Sequence, residues 1–213
     1  MAKTKKGDFI ELDFTGYSDG KIFDSNIKED LQKISKDPKP RDLLIIIGEQ
    51  IVVQGLDNAL EDKEVGKEYK ISLKPKEAFG ERRQELIKTI PLKAFSKHNV
   101  DPRPGVTLFL DNYLVKIIAV SGARVTADFN NPLAGRNIEY KFKIRKIIED
   151  EKEKVDAFFK IFFKSSQSYK IEEKTVFLES DIGENPFLDF LREKFQALIN
   201  KELKYAPKVE NKK

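Results

Sequence analysis

The chain has 213 residues, 39% of them apolar, which is enough for one large domain or two to three small ones. Forty basic residues oppose 36 acidic ones for a net charge of +4, and the signs alternate locally, so there is no broad stripe for nucleic acid. With no cysteine and a single histidine, His98, the chain excludes disulfides, thiol chemistry and multi-histidine metal sites, and no run of about 18 apolar residues could cross a membrane.

The N-terminal Met-Ala-Lys-Thr-Lys-Lys-Gly is basic but has no apolar region behind it, so it is not read as a signal peptide and a cytoplasmic location is expected. Ile10, Leu12 and Phe14 alternate with Glu11 and Asp13, which predicts a strand with its apolar side inward. Ser18-Asp19-Gly20 supplies a hairpin turn, and Lys21–Ser25 returns as a second strand. Its end places an apolar ring, Phe23, beside a carboxylate, Asp24; a core Phe next to a solvated Asp has the same sequence. Residues 26–42 read as a long polar loop with one or two helical turns through Ile27, Leu31 and Ile34.

Leu43–Ile47 is a buried-strand run ended by Gly48. Val52, Leu56 and Leu60 then recur at helical spacing beside Ala59, and Gly66 closes the segment. By pattern alone this is a strand, a turn and a core helix. The sharper reading makes Val52 and Val53 the rim of an apolar pocket and Leu56 its floor. Tyr69, Ile71 and Leu73 predict a half-buried strand stopped by Pro75, with Ala78-Phe79-Gly80 in the loop beyond.

From Arg82 to Phe129 the pattern changes to short strands: Leu86–Pro91, Val106–Leu110, Tyr113–Val120 and Val125–Phe129, with turn signals at Asp111-Asn112 and Ser121-Gly122. A unit of this kind interrupting a domain needs its ends close together. Asn137–Ile148 is a long strand with Ile138, Tyr140, Phe142 and Ile144 on one face. Val155, Phe158, Phe159, Phe162 and Phe163 then mark a helix face, Tyr169–Ile171 and Thr175–Leu178 two short strands, and Asn185-Pro186 the start of a second helix. Eight of the 16 phenylalanines follow Asp150, more aromatic surface than a unit of about 60 residues buries alone.

Four segments in this order carry a resemblance: Phe14-Thr15-Gly16 with Asp19–Ser25, the Ile45–Leu60 stretch, Glu77-Ala78-Phe79-Gly80, and Asn131–Asn137. Together they resemble FKBP-type peptidyl-prolyl cis-trans isomerases, and the last looks like the return segment of SlyD-like members that carry an insert-in-flap domain. The resemblance covers roughly residues 8–148 and suggests a long archaeal type with a C-terminal extension.

The resemblance implies an α+β fold: an antiparallel half-barrel sheet wrapped on a short helix, a small inserted β-rich domain and a C-terminal α+β domain. The expected division is 1–83 plus 130–149, then 84–129, then 150–213. It implies isomerisation of X-Pro bonds in folding chains, without cofactor, by Phe23, Asp24, Val53 and Phe79. Phe14, Leu43, Val52, Leu56 and Tyr140 would bind substrate.

Leu56 stands where the family often has Trp, and Phe14 and Phe79 where it often has Tyr, which implies a softer floor, weak macrolide binding and lower intrinsic activity. A chaperone module with little catalysis is the alternative. Unfolded, proline-containing chains are the expected partners, with neither nucleic acid nor membrane, and residues 150–213 are expected to form a homodimer.

Overall fold

The structure is a computed structural model, and it describes residues 2–96, 100–110, 113–179 and 186–206. His98, the Asp111-Asn112 turn and Asn185 lie outside the described residues. The first part of the chain gives β1 (Phe9–Ser18), β2 (Lys21–Ser25), α1 (Lys28–Leu31), β3 (Leu43–Ile46), α2 (Gln54–Ala59) and β4 (Glu68–Leu73). Then follow β5 (Ile87–Pro91), α3 (Leu92–Ser96), β6 (Thr107–Leu110), β7 (Tyr113–Ser121), β8 (Arg124–Asp128) and β9 (Ile138–Ile148). The chain closes with α4 (Glu151–Phe163), β10 (Tyr169–Ile171), β11 (Thr175–Glu179), α5 (Pro186–Ile199) and β12 (Glu202–Ala206).

β1 is the spine of a five-stranded antiparallel sheet. One of its edges pairs along its whole length with β9, which in turn pairs with β4. The other edge is shared, β3 taking Phe9–Leu12 and β2 taking Thr15–Ser18. Ile10, Leu12 and Phe14 share one core with Ile138, Tyr140, Phe142 and Ile144 and with Leu56 and Leu60 at α2. That is the half-barrel on a short helix that the resemblance implies, with the inward faces that the alternation of β1 and β9 predicts.

Leu43–Ile47 reads as a continuous apolar run because both of its faces are covered. Ile45 and Ile47 face α2, whereas Leu44 and Ile46 face the other way, with Phe9 and Ile148. What covers that second face is the last third of the chain. Phe158, Phe159 and Phe195, all fully buried, join Phe9, Ile46 and Ile148 in one core. The phenylalanines of α4 are therefore buried on the first sheet as well as on α5, and only part of the expected leftover surface remains, chiefly Phe187 and Phe190. α4 is capped by the Asp150 carboxylate, which accepts the Glu153 N–H at 2.9 Å, and it ends at Lys164 in the left-handed region at φ +56°.

Sequence periodicity gives two strands in this part; the structure adds a third, β12, parallel to β11. β12 is only five residues long and starts three residues after α5, so the alternation of exposed Glu202 and Lys204 with buried Leu203 is too short to stand out from the helix before it.

Residues between Arg83 and Asp128 build a four-stranded antiparallel sheet in the order β5-β8-β7-β6, around Phe95, Val115, Ile117, Val125 and Ala127. Its two connections to the rest lie side by side, as an insertion requires: the Phe129 N–H donates to Leu86 O at 2.9 Å. No described helix is long and apolar enough to cross a membrane.

Candidate functional site

The nine residues singled out from sequence converge on one end of the five-stranded sheet. β1 supplies Phe14, β2 supplies Phe23 and Asp24, and β9 supplies Tyr140, while Leu43 opens β3. Val52 and Val53 sit in the loop that leads into α2, whose first turn carries Leu56, only 1% exposed. Phe79 follows a 3-10 turn at Pro75–Glu77. Phe14, Leu56 and Tyr140 are buried members of this core, and Phe23, Leu43, Val52, Val53 and Phe79 pack against it half-buried.

The rings form a connected wall. Phe23 meets Phe79 edge-on at 5.7 Å and Tyr140 at 6.0 Å between centroids, and Tyr140 meets Phe14 at 6.1 Å. This contact needs Gly16, which pairs with Asp24 on one side and Tyr140 on the other. A Cβ on Gly16 would stand 2.6 Å from Phe23 Cζ and 2.9 Å from Tyr140 Cε1. Gly55 does similar work at the opposite wall, where a Cβ would stand 2.6 Å from Leu73 Cδ2 and 2.8 Å from the Glu77 carbonyl. The missing Cβ lets the backbone approach two rings at Gly16, and Leu73 and the Glu77 carbonyl at Gly55.

Polar groups stay at the rim. The Asp24 carboxylate accepts the Ser25 N–H at 2.9 Å and is paired with Arg41 at 3.3 Å. Burial pushes the Tyr140 phenol up to about 12, and the negative charge of Asp24 adds to that, so this hydroxyl is neutral at physiological pH. The Val53 backbone precedes the helix at φ −58° and ψ 143°, and its carbonyl accepts the Leu56 and Asp57 N–H groups. Among the described residues no group accepts the Val53 N–H itself.

Sequence reading missed two buried polar residues that hold these parts. Asn26 accepts the Phe14 N–H at 2.8 Å and donates to Leu12 O at 2.7 Å, filling the gap on the β1 edge between β2 and β3. Asp57 accepts the N–H groups of Gly48 and Gln50, both at 3.0 Å, and so fixes the loop that ends at Val53. Both are polar residues beside apolar runs, a pattern shared with any solvated loop, and only their burial tells them apart. Among the described residues no group of three or more His, Cys, Asp or Glu could hold a metal ion.

The fold and the site define the class: an antiparallel half-barrel on a short helix, with an aromatic cluster at one end and the Asp24 carboxylate and Val53 amide in the segments around it. Comparison with known proteins narrows this class. Residues 1–96 match the family of FKBP-type peptidyl-prolyl cis-trans isomerases, and residues 88–133 match the FKBP26 IF domain. The chain is 31% identical over 153 residues to the short-type peptidyl-prolyl cis-trans isomerase of Methanocaldococcus jannaschii, covering 70% of this chain and 97% of that one. It is 28% identical over 159 residues to SlyD of Helicobacter pylori, covering 71% and 79%, and 27% identical over 132 residues to SlyD of Escherichia coli, covering 60% and 66%. The chain belongs to the FKBP-type peptidyl-prolyl cis-trans isomerase family, and it is an enzyme of that type.

Proposed function

We propose that the pocket walled by Phe14, Phe23, Phe79 and Tyr140 and floored by Leu56 is where X-Pro bonds of folding chains are turned. The observation that carries this is the meeting of Phe23 with both Phe79 and Tyr140 in the core that Val53 packs against, the Val53 N–H having no acceptor among the described residues. Resonance sets a barrier of about 18–20 kcal/mol to rotation of a peptide bond, and crossing it breaks no bond, so neither nucleophile nor metal is needed. The planar amide is more charge-separated than the twisted one. Taking it from water into an apolar pocket removes more solvation from the ground state than from the transition state. In this reading the Val53 N–H donates to a substrate carbonyl, Leu43 and Val52 line the entrance, and Asp24 orients substrate dipoles from the rim.

Asp24→Ala and Phe79→Ala should each slow isomerisation of a short X-Pro peptide by about tenfold or more while the far-UV spectrum and thermal midpoint stay close to wild type. Peptide rates that stay at the uncatalysed background with the wild-type chain would sink the reading. Because Phe79 lacks the hydroxyl of a tyrosine, macrolide inhibitors should bind weakly.

A second activity, capture of unfolded chains, is favoured by a separate observation. Phe109 is 74% exposed on β6, opposite Leu114 of β7, and Leu114 and Ile118 are exposed on that strand while Val115 and Ile117 are buried. An apolar patch of this kind on a small sheet marks a site for other chains. It borders a cleft of about 740 Å³ whose other wall is Asn131–Arg136, a segment tied to the pocket by the Gly135 N–H, which donates to Gly80 O at 2.8 Å. We therefore assign residues 84–129 to client capture, 1–83 with 130–149 to isomerisation and 150–213 to an extension that self-associates. If the pocket turns over poorly, the insert still makes the protein a holdase.

A further inference from the structure

The loop from Gly48 to Val53 is held from two sides. From within, buried Asp57 accepts the Gly48 and Gln50 N–H groups and keeps Gln50, a non-glycine residue, in the left-handed region at φ +54°. From outside, the Lys194 ammonium of α5 donates to Glu49 Oε2 across 145 positions of sequence. The Glu49 side chain is 14% exposed and that of Lys194 33%, so this pair is less screened than a surface ion pair. Among the described residues Glu49 has no other side-chain partner. Lys194 also lies 5.7 Å from the centroid of Phe190, whose ring is exposed on α5.

We propose that Lys194 is a positioning residue for isomerisation: through Glu49, the C-terminal extension sets the loop that presents Val52 and Val53 to the substrate. This rests on the reading of Val53 given above. Without Lys194 the Glu49 carboxylate, 14% exposed, is left without a side-chain partner among the described residues, in the turn next to left-handed Gln50. Asp57 alone then holds a strained turn. The tie acts on binding before the bond rotates, so its loss weakens ground and transition state alike. Its neighbour Phe190 gives the exposed aromatic surface of the extension a direct contact with this tie.

The test uses the full chain. Lys194→Met keeps the aliphatic stem and removes the charge, Glu49→Ala removes the acceptor, and Lys194→Arg restores a donor. With an X-Pro tetrapeptide, Lys194→Met and Glu49→Ala should each raise KM about fivefold at unchanged kcat, with the double variant no worse than either single one. Lys194→Arg should return KM to within about twofold of wild type. Exchange of the Gln50 amide hydrogen, read without substrate, should quicken by about the same factor as KM rises. A wild-type KM in both single variants, additive effects in the double, or unchanged Gln50 exchange overturns the proposal; so does a lowered thermal midpoint with KM unmoved. Asp24→Ala and Phe79→Ala are measured alongside. If those two keep the wild-type rate, the pocket reading itself has failed, whereas if they lose rate while Lys194→Met keeps its KM, only the role of the tie has failed.

Discussion

At the scale of single residues, the pocket depends as much on what is missing at Gly16 as on the rings it brings together. Alanine there would put a methyl 2.6 Å from the Phe23 ring and 2.9 Å from the Tyr140 ring. Both rings are fixed by neighbours, so the strand or the ring must move. Overpacking of this kind costs about 1–3 kcal/mol. Gly16→Ala should therefore lower the urea midpoint and also slow peptide isomerisation, because Phe23 is displaced from Phe79. A variant with wild-type peptide kinetics would show that the Phe23–Phe79 contact is not needed. The aromatic residues were legible in the sequence because they sit at strand positions of fixed parity and in short segments that resemble a known family. Gly16 was legible as a letter of such a segment, but its role was not, since a close approach between β1 and two rings exists only after the sheet has formed. Asp57 and Asn26 were hidden for a related reason: a carboxylate that accepts two backbone N–H groups looks, in sequence, like any polar helix residue.

Among elements, the junction of the insert with the half-barrel is a small polar clasp. The Arg82 guanidinium donates to Asp128 Oδ2 at 2.6 Å from Nη2 and 3.1 Å from Nε, and Asn130 donates to Asp128 Oδ1 from both its backbone and its side chain. Asn130 also brackets Arg83, accepting its N–H at 2.9 Å and donating to its carbonyl at 3.0 Å. Burial alone would raise the Asp128 carboxyl, but the hydrogen bonds from Asn130 and Arg82 outweigh it and hold the group below its ordinary value. A lowered folded value means the clasp stabilises fully above the unfolded aspartate value of about 3.9 and is lost as pH falls through the folded value. Asp128→Asn should then be less stable than wild type by about 1–3 kcal/mol near neutrality, with the gap closing below about pH 4. Thermal unfolding of the two proteins across that range checks it; a gap that stays constant into acid would rule the ionised clasp out.

Replacing the insert by a short loop, or changing Phe109 and Leu114 to serine, should spare tetrapeptide isomerisation and cut catalysis of proline-limited protein refolding about tenfold or more, since a tethered chain is concentrated at the pocket. Equal losses on both substrates would make the insert a mere support. The strand content of this insert was legible from turn signals and alternation. Its clasp was not, because Arg82 and Asp128 are 46 positions apart and only the closed insertion brings them together.

For the whole molecule, the deciding fact is that the last third is not an appendage with its own complete core. Phe158, Phe159 and Phe195 pack with Phe9, Ile46 and Ile148, so cutting the chain near residue 150 would strip one face of the half-barrel. The helix faces of α4 and α5 were legible from their spacing. That their covering is the back of β1, β3 and β9 was not, because an apolar run in a strand does not say what lies over its second face. This changes how self-association must be tested. A truncated chain confounds loss of the interface with exposure of its own core, and it should unfold earlier and aggregate. The surface left for a second copy is the exposed pair Phe187 and Phe190, against which the rings of Phe163 and Phe162 lie at 6.1 and 6.4 Å. Two such patches facing each other across a two-fold axis would bury four exposed rings, with each patch serving as the complement of the other. Full-length protein should then sediment at equilibrium as a dimer, and a Phe187→Asp, Phe190→Ser double variant, which puts no acid beside Lys194, as a folded monomer with unchanged tetrapeptide kinetics but weaker refolding activity, since a dimer offers two pockets and two inserts to one client. A full-length monomer at tens of micromolar would remove the dimer. If the double variant were also to lose client binding while wild type stayed monomeric, the exposed phenylalanines would be a second client surface instead.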